Sequence, residues 1–228
     1  MTNNAIRLTN GETIVLDEWI HWPVYSTIEF QQRTKVDLYA FLYTEGTTVP
    51  KNGTLANRTS TLADTNTNAK GRTNQDEQLV IFSIVPEIFG ISAASSNPQV
   101  DNGVAPVAAP VPFVSSHNMR LLETELLVEF YVGAKITKPQ VRAPLGLLPS
   151  SVDAYLHSTV NYGNSNALDI GTNGPVSACS QWRYELPIMV ESDRLIKLRT
   201  FSPTALLGLN QNIRIRWYLD SLKRRPFG

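Results

Sequence analysis

The residues with which this chain could do chemistry are few: three histidines, one cysteine and a cluster of glutamates within its 228 residues. His21, His117 and His157 lie far apart and show no ligand spacing such as His-x-His, so the metal site of a cupin, with its closely spaced His and Glu, finds no match here. Cys179 has no histidine close to it in sequence. Alone it forms neither an intrachain disulfide nor a thiolate cluster, and it reads as a small core residue. No Gly-x-Ser-x-Gly elbow occurs. Glu123, Glu125 and Glu129 come nearest to a paired-acid site, because alternate residues of a strand stand roughly 7 Å apart on one face. The plainer reading is a solvated strand face. The sequence therefore predicts no enzyme: no catalytic residue, no metal and no cofactor.

Two further groups suit binding. Lys223, Arg224 and Arg225 come directly after the last predicted strand and make the one local charge excess. They are candidates for contact with a lipid membrane, a genome or an acidic groove on another subunit, with a solvated tail as the plain alternative. Repeated over an assembly, such weak contacts gain by multivalency. Of the four tryptophans, Trp182 and Trp217 are in phase with apolar strand faces and read as core. Trp19 and Trp22, in EWIHWP, are less clearly buried and could cover a sheet edge or contact a neighbouring subunit. They form a candidate aromatic contact surface, and with Tyr39 and Tyr43 could line a groove.

The elements that must position these residues are strands. Leu122, Thr124, Leu126, Val128, Phe130 and Val132 alternate with Glu123, Glu125, Glu129 and Tyr131, the period-2 signature of a strand with one dry face. The same residues also favour helix, with Leu122, Leu126 and Phe130 four apart, but β-type neighbours favour the strand. Further strands are expected near Thr13–Trp19, Val24–Gln31, Val36–Thr44, Gln78–Ile91 (bending at Pro86), Asp153–Asn161, Ser177–Val190, Leu195–Phe201 and Asn212–Leu219. Between them, Glu45–Asp76 is rich in Thr, Asn and Gly and too long for a routine connection, so it reads as a functional or assembly loop. Ser92–Ser116 is rich in Pro, Ala and Val, which favours extended backbone on a surface. About eight strands with long crossing loops predict an all-β fold: one single jelly-roll β-sandwich over residues 1–228, with an N-terminal arm (1–12) and a basic C-terminal tail (222–228).

Composition narrows the partners. Lys+Arg and Asp+Glu each number 20, so the formal net charge is zero, unlike a general nucleic-acid binder. Apolar residues at 42% suffice for a core, while charged residues at 18% fall below the usual quarter. No apolar run has the length of a membrane span, and MTNNAIRLTNGE lacks the features of an export signal, so folding in a cytosol is expected.

The stretch STLADTNTNAKGRTNQDEQLVIFSIVPEI resembles jelly-roll capsid proteins of tailless, membrane-containing icosahedral bacteriophages. In those proteins a Thr-Asn turn and a Gly-containing loop lead into a strand; here Asp64, Thr65, Asn66 and Gly71 hold the turn and loop, and Leu79–Ile84 the strand. ELPIMVESDRLIKLRTFSPTALLGLNQNIRIRWYLDSLKRR resembles their ending, an LP-x-x-V strand with two more strands and a basic tail after it. Thr67 stands where Leu is usual, and Gln75 where Pro is. The resemblance implies a structural virion protein that self-assembles into an icosahedral capsid, with an internal membrane as a candidate partner. Its other partners would be copies of itself and other capsid proteins, and its location the virion after synthesis in the host cytoplasm. The alternative is a receptor- or carbohydrate-binding spike module of the same fold, without catalysis.

Overall fold

The computed structural model describes residues 5–8, 11, 13–15, 18–73, 77–91, 114, 116–133, 138–148, 160–162, 166–168, 187–209 and 211–224. In chain order the strands are β1 (Ala5–Arg7), β2 (Thr13–Val15), β3 (Trp19–His21), β4 (Val24–Phe30), β5 (Lys35–Ala40), β6 (Leu79–Ile91), β7 (Leu127–Val132), β8 (Val141–Pro144), β9 (Val160–Tyr162), β10 (Asn166–Leu168), β11 (Ile188–Val190), β12 (Ile196–Ala205) and β13 (Asn212–Arg224). Among the described residues one α-helix, α1 (Ser116–Glu125), precedes β7.

Two sheets face one another, making the all-β sandwich that the alternation predicts. The first runs β11-β6-β13, and the far side of β13 pairs with β4 and then β3; the second runs β5-β12-β7-β8. Every pairing within them is antiparallel. Leaving aside the short β3, the eight strands of the two sheets pair first with last (β4 with β13), second with seventh (β5 with β12), third with sixth (β6 with β11) and fourth with fifth (β7 with β8). Two other ladders, β13 with β6 and β12 with β7, draw these pairs together into sheets.

Period 2 decides which side chains meet. Ile213, Ile215, Trp217 and Leu219 of β13 are fully buried, as are Ile28 and Phe30 of β4 and Leu198 of β12. They form one core with Val128 and Phe130 of β7 and Ile84 and Ile88 of β6. Pro86 lies opposite Trp217 without disturbing the register; the irregularity in β6 falls instead at a bulge between its pairs with Asp220 and Ser221. The register explains this. The residues of β13 that bond β4 are those opposite Val24, Ser26, Ile28 and Phe30, so Pro86, opposite Trp217, turns its hydrogen-free nitrogen away from β13.

Three expectations are corrected. Leu122–Val132 is not one strand: the chain is helical to Glu125 and extended from Leu127. Met119, Leu122 and Leu126, at helical spacing, are buried in the core, whereas Thr124 is exposed and its hydroxyl bonds back to the Arg120 carbonyl. The glutamates therefore share no face, with Glu123 and Glu125 on the helix and Glu129 on β7. The described part of residues 1–12 is not a simple arm either. β1 pairs with β2, and Leu8 packs with Trp19 and Val80 in a second small cluster, joined by Ile14, Phe82 and Leu222, on the outer side of the first sheet. Finally, the last strand does not end at Leu219; it runs to Arg224, because β3 and β6 continue to pair with it.

Candidate interaction surfaces

The outer edge of β4 should be a row of open backbone groups, since β13 bonds only its alternate residues. The long segment after β5 fills that row. Asn66 takes Tyr25, accepting its N–H at 2.9 Å and donating to its carbonyl at 3.4 Å. The Tyr43 hydroxyl takes Thr27, accepting the N–H at 2.7 Å and donating to the carbonyl at 2.6 Å. Burial pushes the Tyr43 phenol up, which keeps it protonated for this double duty. Glu29 donates to the Pro50 carbonyl and accepts from Asn52, whose side chain also accepts the Gln31 N–H. Four consecutive outward rungs are thus occupied by a strap, residues 43–66, that is not itself a strand. Gly53 is required where it packs: its φ is +72°, and a Cβ there would lie 2.6 Å from Cβ of Gln31.

An ionic latch holds the strap down. Arg58 forks onto Asp64 at 2.6 and 2.7 Å and reaches Glu29 at 2.8 Å, while Arg214 of β13 meets the same Glu29 oxygen at 2.8 Å. Both carboxylates are buried. Burial alone would raise the Asp64 carboxyl, but the Arg58 guanidinium and the Thr61 N–H and hydroxyl hold it down to about 2.

The outer face of the second sheet is built differently. Glu129 is 1% exposed although it points away from the core. It accepts hydrogen bonds from the Tyr131 hydroxyl at 2.6 Å and Arg142 Nε at 2.7 Å, and lies 3.4 Å from Arg199. Burial pushes its carboxyl up, yet these donors hold it below the usual range. Arg199 also forks onto Asp37, both contacts at 2.7 Å. Cations and rings alternate diagonally across three strands: Lys197 lies 5.2 Å from the Tyr131 ring and 4.4 Å from the Tyr39 ring, and Arg199 lies 6.0 Å from Tyr39 and 4.4 Å from Phe201. Glu129→Gln should keep the shape and lose the charge. Its expected cost is about 1.5–3 kcal/mol, the range for hydrogen bonds to charged groups, read as a lower urea midpoint at neutral pH. An unchanged midpoint would show that the two arginines do not need the carboxylate.

The structure disperses the residues expected to bind. Trp19 is buried beside Leu8 and Val80, so it is withdrawn from any contact surface; Trp22 is 40% exposed, with the Lys223 ammonium 5.1 Å from its ring. Tyr43 is buried in the strap and Tyr39 lies on the other sheet, so no groove gathers the four rings. Lys223 and Arg224 belong to β13 and are already engaged: Lys223 pairs with Glu77, and Arg224 with Glu18 at 3.0 Å. The pairing strand, not a free tail, carries them. Arg225, Cys179, Trp182 and His157 lie outside the described residues, as do most of Ser92–Ser116, Asp153–Asn161 and Ser177–Val190. His117 lies in α1, and the exposed His21 contacts Asp220 at 2.9 Å. Among the described residues no group of His, Cys, Asp and Glu is arranged to hold a metal, and no helix is long and apolar enough to cross a membrane. A crevice between Val24, Phe41, Leu79 and Ile196 leaves about 30 Å³, room for one water.

Neither network was legible in the sequence. The outer-face pattern was visible in KVDLYA, LVEFYV and IKLRTF, each alternating charge or ring with apolar residues, but the register that brings Lys197 between Tyr39 and Tyr131 was not. In comparisons with known proteins the chain matches no family model, no curated protein and no solved structure.

Proposed function

We propose that the chain is a single jelly-roll capsid subunit, a structural virion protein that self-assembles into an icosahedral shell. The observation that carries this reading is the nested pairing of its eight strands, first with last through fourth with fifth. An antiparallel ribbon so nested, wound until β13 meets β6 and β12 meets β7, is the order expected of a double Greek key and supports the jelly-roll reading. Fold alone names no function. The resemblance of residues 60–88 and 185–225 to phage capsid proteins supplies the direction, and the surfaces agree with it. With the β4 edge covered, strand addition is blocked there, which favours meeting through faces and loops, as a closed assembly of discrete subunits requires. The sugar-binding alternative needs free ring faces, whereas Tyr39, Tyr131 and Phe201 already hold Lys197 and Arg199.

Sedimentation velocity and negative-stain microscopy of the purified chain, alone and with other proteins of the same particle, test the proposal. The expected result is concentration-dependent closed oligomers that grow into shells. A monomer or isolated trimer that binds a glycan and never joins particles would establish the spike reading instead.

A further inference from the structure

The outer face of the second sheet carries a charge imbalance that its own ion pairs do not cancel. Among the described residues Lys35, Arg142, Lys197 and Arg199 point outward there, with only Asp37 and Glu129 as counter-charges. Arg142 and Arg199 are bound to those two carboxylates. Lys35 and Lys197 form no ion pair among the described residues, although both lie close enough to Asp37 to lower its pKa after the larger effect of Arg199. A chain with 20 charges of each sign thus concentrates, among its described residues, a surplus of two cations on one face.

From this we infer that the outer face of β5-β12-β7-β8 is a docking surface for an acidic face of a folded protein. Charge complementarity is the first argument: an incoming surface must supply the carboxylates that Lys35 and Lys197 lack, and Arg142, with its side chain 68% exposed, has donors left over beside Glu129. The second is order. Tyr131, Lys197, Tyr39, Arg199 and Phe201 hold one another in a continuous ladder, so little rotamer freedom remains to be lost on binding. Third, tyrosine, phenylalanine and arginine are the residues enriched at protein interfaces. The surplus is too small for the polyanion alternatives: lipid-binding sites gather about four to eight cations, and DNA sites make about six to ten phosphate contacts. Lys35 on β5 and Arg142 on β8 are three strand spacings apart across the sheet and, since Arg142 lies in the row of Tyr39, four residues apart along it, which places the partner's acidic groups roughly 20 Å from one another. A like-charged second copy meets the same face with repulsion. The surface would serve a shell protein and a spike alike.

The test uses the full chain with a folded, negatively supercharged carrier protein as probe and the carrier's neutral parent as reference. Lys35→Glu combined with Lys197→Glu reverses the surplus without orphaning a carboxylate; Lys35→Gln with Lys197→Gln is the milder pair. Lys70→Glu with Arg120→Glu, exposed cations off this face, is the control. Wild type should bind the acidic carrier and not its parent, and binding should weaken as salt rises from about 50 to about 300 mM. The reversal should cost on the order of tenfold in Kd, the Gln pair less, and the control about twofold at most. Equal loss in the control and face variants would overturn the proposal. So would face-dependent binding to phosphatidylglycerol vesicles or a dT20 oligonucleotide in preference to the carrier, or face-dependent self-association in sedimentation.

Discussion

Arg58→Ala is expected to destabilise the protein by about 3 kcal/mol, the lower end of the range for a buried pair that loses one partner. The lower end applies because the Arg58 side chain is one-third exposed while the carboxylates it serves are not. Glu29 would keep Arg214, but Asp64 would keep only Thr61. Asp64 has its folded pKa depressed to about 2 from 3.8, so its contribution is fully present above about pH 4 and is lost as pH falls through 2. In the variant, with the Arg58 cation gone and burial left to push the carboxyl up, that acid-side decline should shrink. Arg58→Lys should recover part of the loss, since an ammonium cannot make the two-pronged contact. Urea melts across pH give the magnitude, and amide exchange at Thr27 and Glu29 tells strap opening from global unfolding. Unchanged protection at those two amides would show that the latch does not hold the strap.

Trp217→Ala should cost about 3–5 kcal/mol, the range for removing a large aromatic from a close-packed interior. Trp217 is fully buried and stands between Ser26 of β4 and Pro86 of β6. Among the described residues its buried indole N–H has no acceptor, which itself opposes folding by about 1–3 kcal/mol. Trp217→Phe discards that unpaired donor along with part of the ring, so its net cost should be clearly smaller than that of the alanine variant. Denaturant midpoints of the two variants decide it; equal losses would mean that the donor is satisfied in solution.

Sequence patterning reveals the sandwich because period 2 is a local property: Ile213 to Leu219 announces its buried face without reference to any partner. The same rule fails at Leu122, where a helical stripe and an alternating strand share Leu122 and Leu126, and only Thr124, exposed on the helix, separates the two periods. Register is not local. Glu29, Arg58 and Arg214 are scattered along the chain, and nothing in their flanking residues says that they converge. Lys223 and Arg224 looked like a tail because β-propensity weakens after Leu219, yet the pairing reach of β3 and β6 keeps the strand going. The core was therefore legible, and the surfaces that matter for partners were not.

The pairing of β4 with β13 also sets a clock. Val24–Phe30 waits for Ile213–Leu219, nearly the whole chain away. At synthesis rates of about 5–20 residues per second, β4 leaves the ribosome roughly 10–40 s before its partner strand. Contacts so distant in sequence make folding slow and leave unpaired edges exposed meanwhile. The strap, by contrast, comes only a few dozen residues after β4, so it can engage one edge long before the other finds β13. A nascent chain made in many copies at once would gain its protection from neighbours in that order: first the local cover, and last the long-range closure.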